Sequence, residues 1–553
     1  MSAELMRRDA LLEVRGLRVA AGAAAGSAPI LHGVDLTVGR GEVLGVIGES
    51  GAGKSTIGLA ALGLLRPGCR VLGGSVRFDG ISLFEAPSRT VRKLRGGRIA
   101  YVAQSAFASF NPAQRLLAQT IESSVVHGLM TREQATAKAK ELYAQLQLPD
   151  PDSFGERFPH QVSGGQLQRA MIAMAIMSDP DLIVFDEPTT ALDVTTQIEV
   201  LRSIKALVES RNLSAIYVTH DLALVTQIAH RILVLRRGRV VESAETRQML
   251  ACPRDDYTRS LWAVREFAKM PAEASTPIIE LSGVSAAYHS LRVLHDVDLS
   301  VPRRHTVALI GESGSGKSTI AKVITGILPP IGGSVRFEGQ RLAPDLRGRS
   351  LEQLRRIQLV HQNPDSALNP RRTIEQTLAR PLAVFQKVSG SVLRQRVVDL
   401  LQMVGLPRDY LHRRPGELSG GEKQRIAIAR ALAAKPDVIV CDEVTSALDQ
   451  LVQRDILDLL SELQRQLGVT YIFITHDLAT VRAVADDVVV LRNGRVVVAG
   501  EKGKVLSPPY EPYTGLLISS VPEIDPDWLD RTFGKGRGAP PHALSMHPNS
   551  AVV

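Results

Sequence analysis

Cysteine is scarce in this sequence. The three present, Cys69, Cys252 and Cys441, lie far apart with no C-x-x-C pair. That excludes a disulfide framework and a paired-cysteine zinc site, and it suits a reducing compartment. Long apolar runs are missing too. No stretch reaches the roughly 18 to 20 uninterrupted apolar residues of a membrane span. The best, 171–185, is broken by Ser178, Asp179, Pro180 and Asp181. The N-terminal MSAELMRRDALLEV has no apolar core of signal-peptide type. The expectation is a chain that stays in the cytoplasm and reaches a membrane only through another subunit. The 45 glycines and 30 prolines follow no triplet period, which excludes collagen. With 44% hydrophobic and 22% charged residues, a mainly disordered chain is excluded as well. The net charge of +9 gives a basic surface able to meet nucleotide, nucleic acid or lipid headgroups.

What is present is a repeat. GESGAGKST at 48–56 returns as GESGSGKST at 311–319. SGGQLQR at 163–169 returns as SGGEKQR at 419–425, and DLIVFDEPTTALD at 181–193 as DVIVCDEVTSALD at 437–449. IYVTHDLA at 216–223 returns as IFITHDLA at 472–479. The copies are 263 residues apart at Lys54 and Lys317 and 256 apart at His220 and His476, so two whole domains are expected. The expected boundaries are a first domain over 1–262, a short polar linker over 263–277, a second domain over 278–529 and a disordered tail over 530–553. Apolar runs at 43–47, 182–185 and 215–218, with counterparts at 307–310, 438–440 and 471–474, read as strands covered on both faces. Such strands imply a mainly parallel sheet with helices on each side. Regions 105–162 and 363–418 turn helical, with Val397, Leu400, Leu401 and Val404 at i, i+3, i+4 and i+7.

Each motif implies a chemistry. Gly48 to Ser55 fits G-x-x-x-x-G-K-[ST] between a strand and a helix-like run over 55–65. Gly48, Ser50, Gly51 and Gly53 would let backbone N–H groups wrap phosphates, Lys54 would reach the outer phosphates, and Ser55 with Thr56 opens the helix, Ser55 holding Mg²⁺. Gly311, Ser313, Gly314, Gly316, Lys317, Ser318 and Thr319 repeat the set. Asp186 and Glu187, like Asp442 and Glu443, end buried strands, where carboxylates are costly unless a cation or a proton transfer uses them. The functional reading gives the aspartates to Mg²⁺ and the glutamates to the attacking water; the alternative is helix capping. Ser163, Gly164 and Gly165, with Ser419, Gly420 and Gly421, open helices and suit either a cap or an anion site. His220 and His476 follow strands and precede aspartate, where a lone histidine is often structural, but recurrence at a sheet's C-terminal edge favours function. Gln104 and Gln362 end strand-like runs, RIAYVAQ and RIQLVHQ.

Taken together, each half resembles the nucleotide-binding domain of an ABC-transporter ATPase. The resemblance implies an α/β fold: two tandem P-loop domains, each a RecA-like, mainly parallel sheet core with an antiparallel β subdomain and a helical subdomain. It makes Gln104 and Gln362 Q-loop glutamines near the metal, Ser163 to Gly165 and Ser419 to Gly421 the signatures, Glu187 and Glu443 the catalytic glutamates, and His220 and His476 the H-loop histidines. It implies ATP and Mg²⁺, and head-to-tail composite sites in which each half's phosphate loop faces the other's signature. The GES loops, the SAFASFNP and NPDSALNP stretches after the glutamines, and the tails around Tyr257-Thr258 and Tyr513-Thr514 are similar to the peptide/nickel importer subfamily. That likeness implies two transmembrane permease subunits, an extracytoplasmic solute-binding protein and a peripheral place on the cytoplasmic face of the cell membrane. Some members bind an iron–sulfur cluster through cysteines in the C-terminal extension; Cys252 stands alone there, so none is expected. Val444 and Val162 replace a usual proline and a signature leucine. The family stacks adenine on an aromatic where the second half has Tyr288 and the first has Ala21.

A soluble twin-ABC ATPase acting on ribosomes or nucleic acid is the alternative, and the positive charge fits it. Its translation-type members carry a long charged linker and its repair-type members carry zinc-binding cysteines. The short 263–277 segment and the cysteine count favour the importer, for which no nucleic-acid partner is expected.

Overall fold

The apolar runs do form a strand core, twice. The computed structural model describes residues 10–22, 28–190, 192–262, 275–446 and 448–534. They fall into two units, one of 10–262 together with 522–534 and one of 275–521. Most of the expected linker (263–274), the tail beyond 534, and Ala191 and Ala447 of the ALD motifs lie outside the described residues.

In the first unit β1 (Ala10–Ala21), β2 (Ala28–Gly39), β3 (Val43–Gly48), β4 (Cys69–Phe78), β5 (Ile81–Ser82), β6 (Ile99–Val102), β7 (Leu182–Asp186), β8 (Ser214–Val218), β9 (Arg231–Arg236) and β10 (Arg239–Glu245) build two sheets. One is antiparallel, in the order β2-β1-β4-β5. The other runs β10-β9-β3-β8-β7-β6 and is parallel except for the β9–β10 hairpin. Every residue of β3, β7 and β8 is buried, as expected of strands with helices over both faces.

The second unit repeats this plan. Its strands are β11 (Pro277–Tyr288), β12 (Leu291–Pro302), β13 (Thr306–Ile310), β14 (Gly332–Phe337), β15 (Gln340–Arg341), β16 (Ile357–Val360), β17 (Val438–Asp442), β18 (Thr470–Ile474), β19 (Asp487–Arg492) and β20 (Arg495–Glu501). They form sheets in the orders β12-β11-β14-β15 and β16-β17-β18-β13-β19-β20. In both units the loop after the central strand, β3 or β13, meets the ends of its parallel neighbours at one sheet edge, where ligands of such sheets gather.

The expected helical regions hold Leu116–Val126 and Arg132–Gln145 in one unit and Ile374–Gln386 and Gly390–Met403 in the other, and the helices Gly164–Ile176 and Gly420–Leu432 follow just beyond them. Val397, Leu401 and Val404 are fully buried, so the sequence stripe is the packed face. The helix after the first phosphate loop is shorter than the expected run over 55–65: it spans Lys54–Ala60. Gly63 at φ 66° ends the turn that follows, as the equivalent Gly326 at φ 78° ends the counterpart Lys317–Thr325, and only the first helix carries an interior glycine, Gly58, where the second has Ala321.

The chain's end differs from the sequence expectation. Residues 522–529, assigned to the second domain, belong with the first unit, and 530–533, assigned to a disordered tail, complete a helix over Trp528–Phe533. Trp528 and Leu529 supply the reason, because both are buried in that unit.

Candidate functional site

Each phosphate loop closes on its own lysine. Lys54 is 6% exposed and donates to the carbonyls of Gly48 (2.7 Å) and Glu49 (2.9 Å). Lys317 donates to the carbonyls of Gly311 (2.8 Å) and Glu312 (2.7 Å). The first glycine is required by space as well as by torsion. Gly48 has φ 150° and a Cβ there would lie 2.0 Å from the Leu235 carbonyl oxygen; at Gly311 the figures are 147° and 2.2 Å from Leu491.

The residue after the lysine meets the strand-end aspartate. Ser55 Oγ donates to Asp186 Oδ1 at 3.0 Å, and Ser318 Oγ to Asp442 Oδ1 at 2.9 Å. A hydroxyl beside a carboxylate is a hard-oxygen pair of the kind Mg²⁺ accepts when substrate phosphates and waters complete its shell. The residues therefore fit that cation. Burial raises Asp442 above the ordinary carboxylate range, and the Ser318 hydrogen bond offsets this in part. Tyr101, which the motif reading passed over, donates to Asp186 Oδ2 at 2.6 Å. The second copy has Leu359 at that strand position, so the two sites differ here.

Glutamate, histidine and glutamine form the next cluster. His220 Nδ1 lies 3.4 Å from Glu187 Oε1, and Gln104 Nε2 donates to Glu187 Oε2 at 3.0 Å. His476 lies 3.6 Å from Glu443, and Gln362 donates to it at 2.5 Å. The glutamines, expected near the metal, thus contact the glutamate. Burial pushes Glu187 up, but the hydrogen bond and charge of His220, with Lys54 nearby, hold it below the ordinary value. Burial pushes His220 down, and Glu187 more than reverses this. Glu443 and His476 shift in the same directions for the same reasons. Both glutamates sit in the left-handed region, at φ 49° and 48°. Their N–H groups donate to Val218 (2.9 Å) and Ile474 (3.0 Å) on the neighbouring strand, which holds a conformation that costs a non-glycine residue about 1–3 kcal/mol. The motif spacing gives no sign of that strain.

Among the described residues, the signature serines bond within their own helix ends and not to this cluster. Ser163 caps Gly164–Ile176 in a capping box with Gln166, and Ser419 caps Gly420–Leu432 with Glu422. Gly165 and Gly421 let this helix pack against the next, since an added Cβ would meet Thr196 Cγ2 at 2.1 Å and Val452 Cγ1 at 2.4 Å. Tyr288 ends β11, is 37% exposed, and accepts a hydrogen bond from Lys322 Nζ at 3.1 Å. Ala21 ends β1. Tyr257 and Tyr513, noted in the sequence only as parts of tails, accept hydrogen bonds from the loop N–H groups of Glu49 and Glu312, each at 3.1 Å. Their rings lie under Arg236 (4.5 Å) and Arg492 (4.7 Å). Their recurrence at equal spacing was the available signal.

A family model described as ABC transporter matches residues 31–190 and again 294–446. This chain belongs to the ABC transporter family. It carries two fused ABC domains and is an ATPase. A second model, described as the C-terminal region of oligopeptide/dipeptide transporters, matches residues 499–548. Among curated relatives, a "Glutathione import ATP-binding protein GsiA" from Salmonella choleraesuis (strain SC-B67) is 35% identical over 95% of this chain and 91% of its own. An "Uncharacterized ABC transporter ATP-binding protein YejF" from Escherichia coli (strain K12) is 38% identical over 89% of this chain and 95% of its own. The solved ATP-binding cassette MJ0796, a dimer in a post-hydrolysis state with ADP and Pi, is 30% identical over 40% of this chain and 98% of its own, with a TM-score of 0.37.

Proposed function

We propose that this ABC ATPase powers an importer of peptides or related small solutes. Its partners would be two transmembrane permease subunits, with an extracytoplasmic solute-binding protein delivering substrate, and its place the cytoplasmic face of the membrane. The observation that carries this reading is the oligopeptide/dipeptide transporter region at 499–548, in a chain with no helix among the described residues long and apolar enough to cross a membrane. The GsiA relative, named for glutathione import, agrees with a peptide-like cargo.

Lys54 and Lys317, now held by loop carbonyls, would turn to the β- and γ-phosphates of ATP. Ser55 with Asp186, and Ser318 with Asp442, would hold Mg²⁺, whose charge would offset that of the phosphates. Glu187 and Glu443, with their depressed pKa values, are weak bases at neutral pH. Their proposed role is to orient and polarise the attacking water, which suits a loose transition state that asks little of its nucleophile. His220 and His476 would fix the glutamates, and Gln104 and Gln362 would sense whether phosphate and metal are in place. Following the family resemblance, Ser419 and Gly421 would complete the site built on Lys54, and Ser163 and Gly165 the one built on Lys317. ATP would then close the pair by binding the closed state more tightly, and hydrolysis would release it.

The test is uptake of labelled di-, tri- and oligopeptides by cells carrying the wild-type chain or the Glu187→Gln/Glu443→Gln variant, alongside fractionation. Loss of uptake in the variant, with the chain in the membrane fraction, is the expected result. Unchanged uptake and sedimentation with ribosomes or nucleic acid would move the assignment to the alternative.

A further inference from the structure

The last described stretch of the chain has a built seat on the first unit. Gln227 follows the short helix Leu222–Thr226 beyond His220 and is 2% exposed. Its side-chain amide donates to the carbonyls of Glu523 (2.9 Å) and Asp525 (2.8 Å), and its Oε1 accepts from the Leu529 N–H at 3.0 Å. One buried glutamine thus holds the backbone on both sides of a turn. Trp528 and Leu529 are buried beside it, at 4% and 2% exposure. Basic side chains ring the acidic segment: Lys205 meets Asp530 at 2.9 Å, Arg247 meets both carboxylate oxygens of Asp527, and Arg202 lies 5.2 Å over the Phe533 ring.

The seat belongs to one repeat only. The positions 256 residues further on, in register with His220 and His476, are Ala483 for Gln227, Ser461 for Lys205, Asp458 for Arg202 and Gly503 for Arg247. The second copy therefore lacks the amide clamp and all three cations. The absence of all four partners from the second copy of a duplicated fold marks a specific docking surface rather than the general behaviour of a terminal helix.

We propose that residues 522–534 are a second intramolecular link, joining the second half of the chain to the first independently of the 263–274 connection and of nucleotide. The covalent join makes docking intramolecular, at an effective concentration in the millimolar range for a short connection, so a modest seat suffices. The buried pair Trp528 and Leu529 supplies the apolar anchor, while the Lys205 and Arg247 contacts make its rim salt-sensitive. When ATP leaves, the halves stay joined at this point. The inference does not depend on the cargo or on the importer reading.

The test uses the full chain with a site-specific protease sequence placed within 263–274. The folded protein is cut without nucleotide and its mass followed by size exclusion with light scattering. The two fragments should remain together one to one. They should separate in a Gln227→Ala/Trp528→Ala/Leu529→Ala variant, and also when an excess of synthetic 520–534 peptide is added to the unaltered cut protein. Fragments that part with the segment intact, or that stay joined under saturating peptide, would overturn the proposal. The peptide arm decides the matter even where the triple variant folds poorly.

Discussion

Gly165→Ala separates a packing reason for the signature glycine from any role toward phosphate. An added Cβ would stand 2.1 Å from Thr196 Cγ2, against an ordinary carbon–carbon contact of about 3.5–4.0 Å. The helices Gly164–Ile176 and Val194–Arg211 must part, or Thr196 must leave its rotamer. Overpacking of this kind costs about 1–3 kcal/mol, less the fraction of about 1 kcal/mol that alanine regains over glycine in a helix. A net loss of about 1–2 kcal/mol should speed exchange of the amide hydrogens in 164–176 roughly five- to thirtyfold, a local readout suited to a chain of two units. Thr196→Ser removes the offending methyl and keeps the hydroxyl that donates to Asp193 at 3.1 Å, so alone it should cost under about 1 kcal/mol. The Gly165→Ala/Thr196→Ser double variant should return to within about threefold of wild type, because the two sites are in contact and their effects do not add. Wild-type exchange in Gly165→Ala, or no relief from Thr196→Ser, would refute the packing argument.

Glu187→Gln and Glu443→Gln should each lower ATP turnover in the assembled complex, and together abolish it while ATP still binds; full activity in either single variant would refute two competent sites. Tyr288→Ala, in a Lys54→Ala background, should weaken ATP binding at the second site about five- to 150-fold if the ring stacks on adenine, from the roughly 1–3 kcal/mol of base–aromatic stacking, and equilibrium titration reads this directly. Tyr101→Phe should raise severalfold the Mn²⁺ concentration needed for metal-dependent ATP binding at the first site, followed by electron paramagnetic resonance, with no such change at the second. The raised His220 pKa means its contribution to stability is full below its unfolded value and lost as pH rises through the folded one. The lowered Glu187 pKa means the reverse, present above its unfolded value and lost as pH falls through the folded one. Local exchange near β7 should therefore be slowest between those limits, and His220→Gln should remove the alkaline limb and also weaken the acid one, because the hydrogen bond and charge of His220 are the main causes that hold Glu187 low.

Much of the site could be read from the sequence because its chemistry is local. A glycine loop with its lysine, a strand ending in two carboxylates and a serine before two glycines each occupy a few consecutive residues, and the duplication repeated every signal. What escaped notice was made by residues distant in sequence. Tyr101 reaches Asp186, and Tyr257 reaches the Glu49 N–H, only because neighbouring strands or a later helix bring them there. The left-handed backbone at Glu187 and Glu443 has no composition signature, since a bond to the next strand holds it.

The sequence by itself determined the two α/β units, their buried central strands and the residue types at each phosphate loop, because strand and helix periodicities and loop chemistry act over short spans. The tertiary structure alone decided which side chains share a hydrogen bond, and where the chain's end belongs. Residues 522–533 read as the close of the second half and the start of a loose tail. They fold against the first because Gln227, Lys205 and Arg247, some 280 to 325 residues earlier, present the hydrogen bonds and charges that Trp528, Leu529 and their acidic neighbours require.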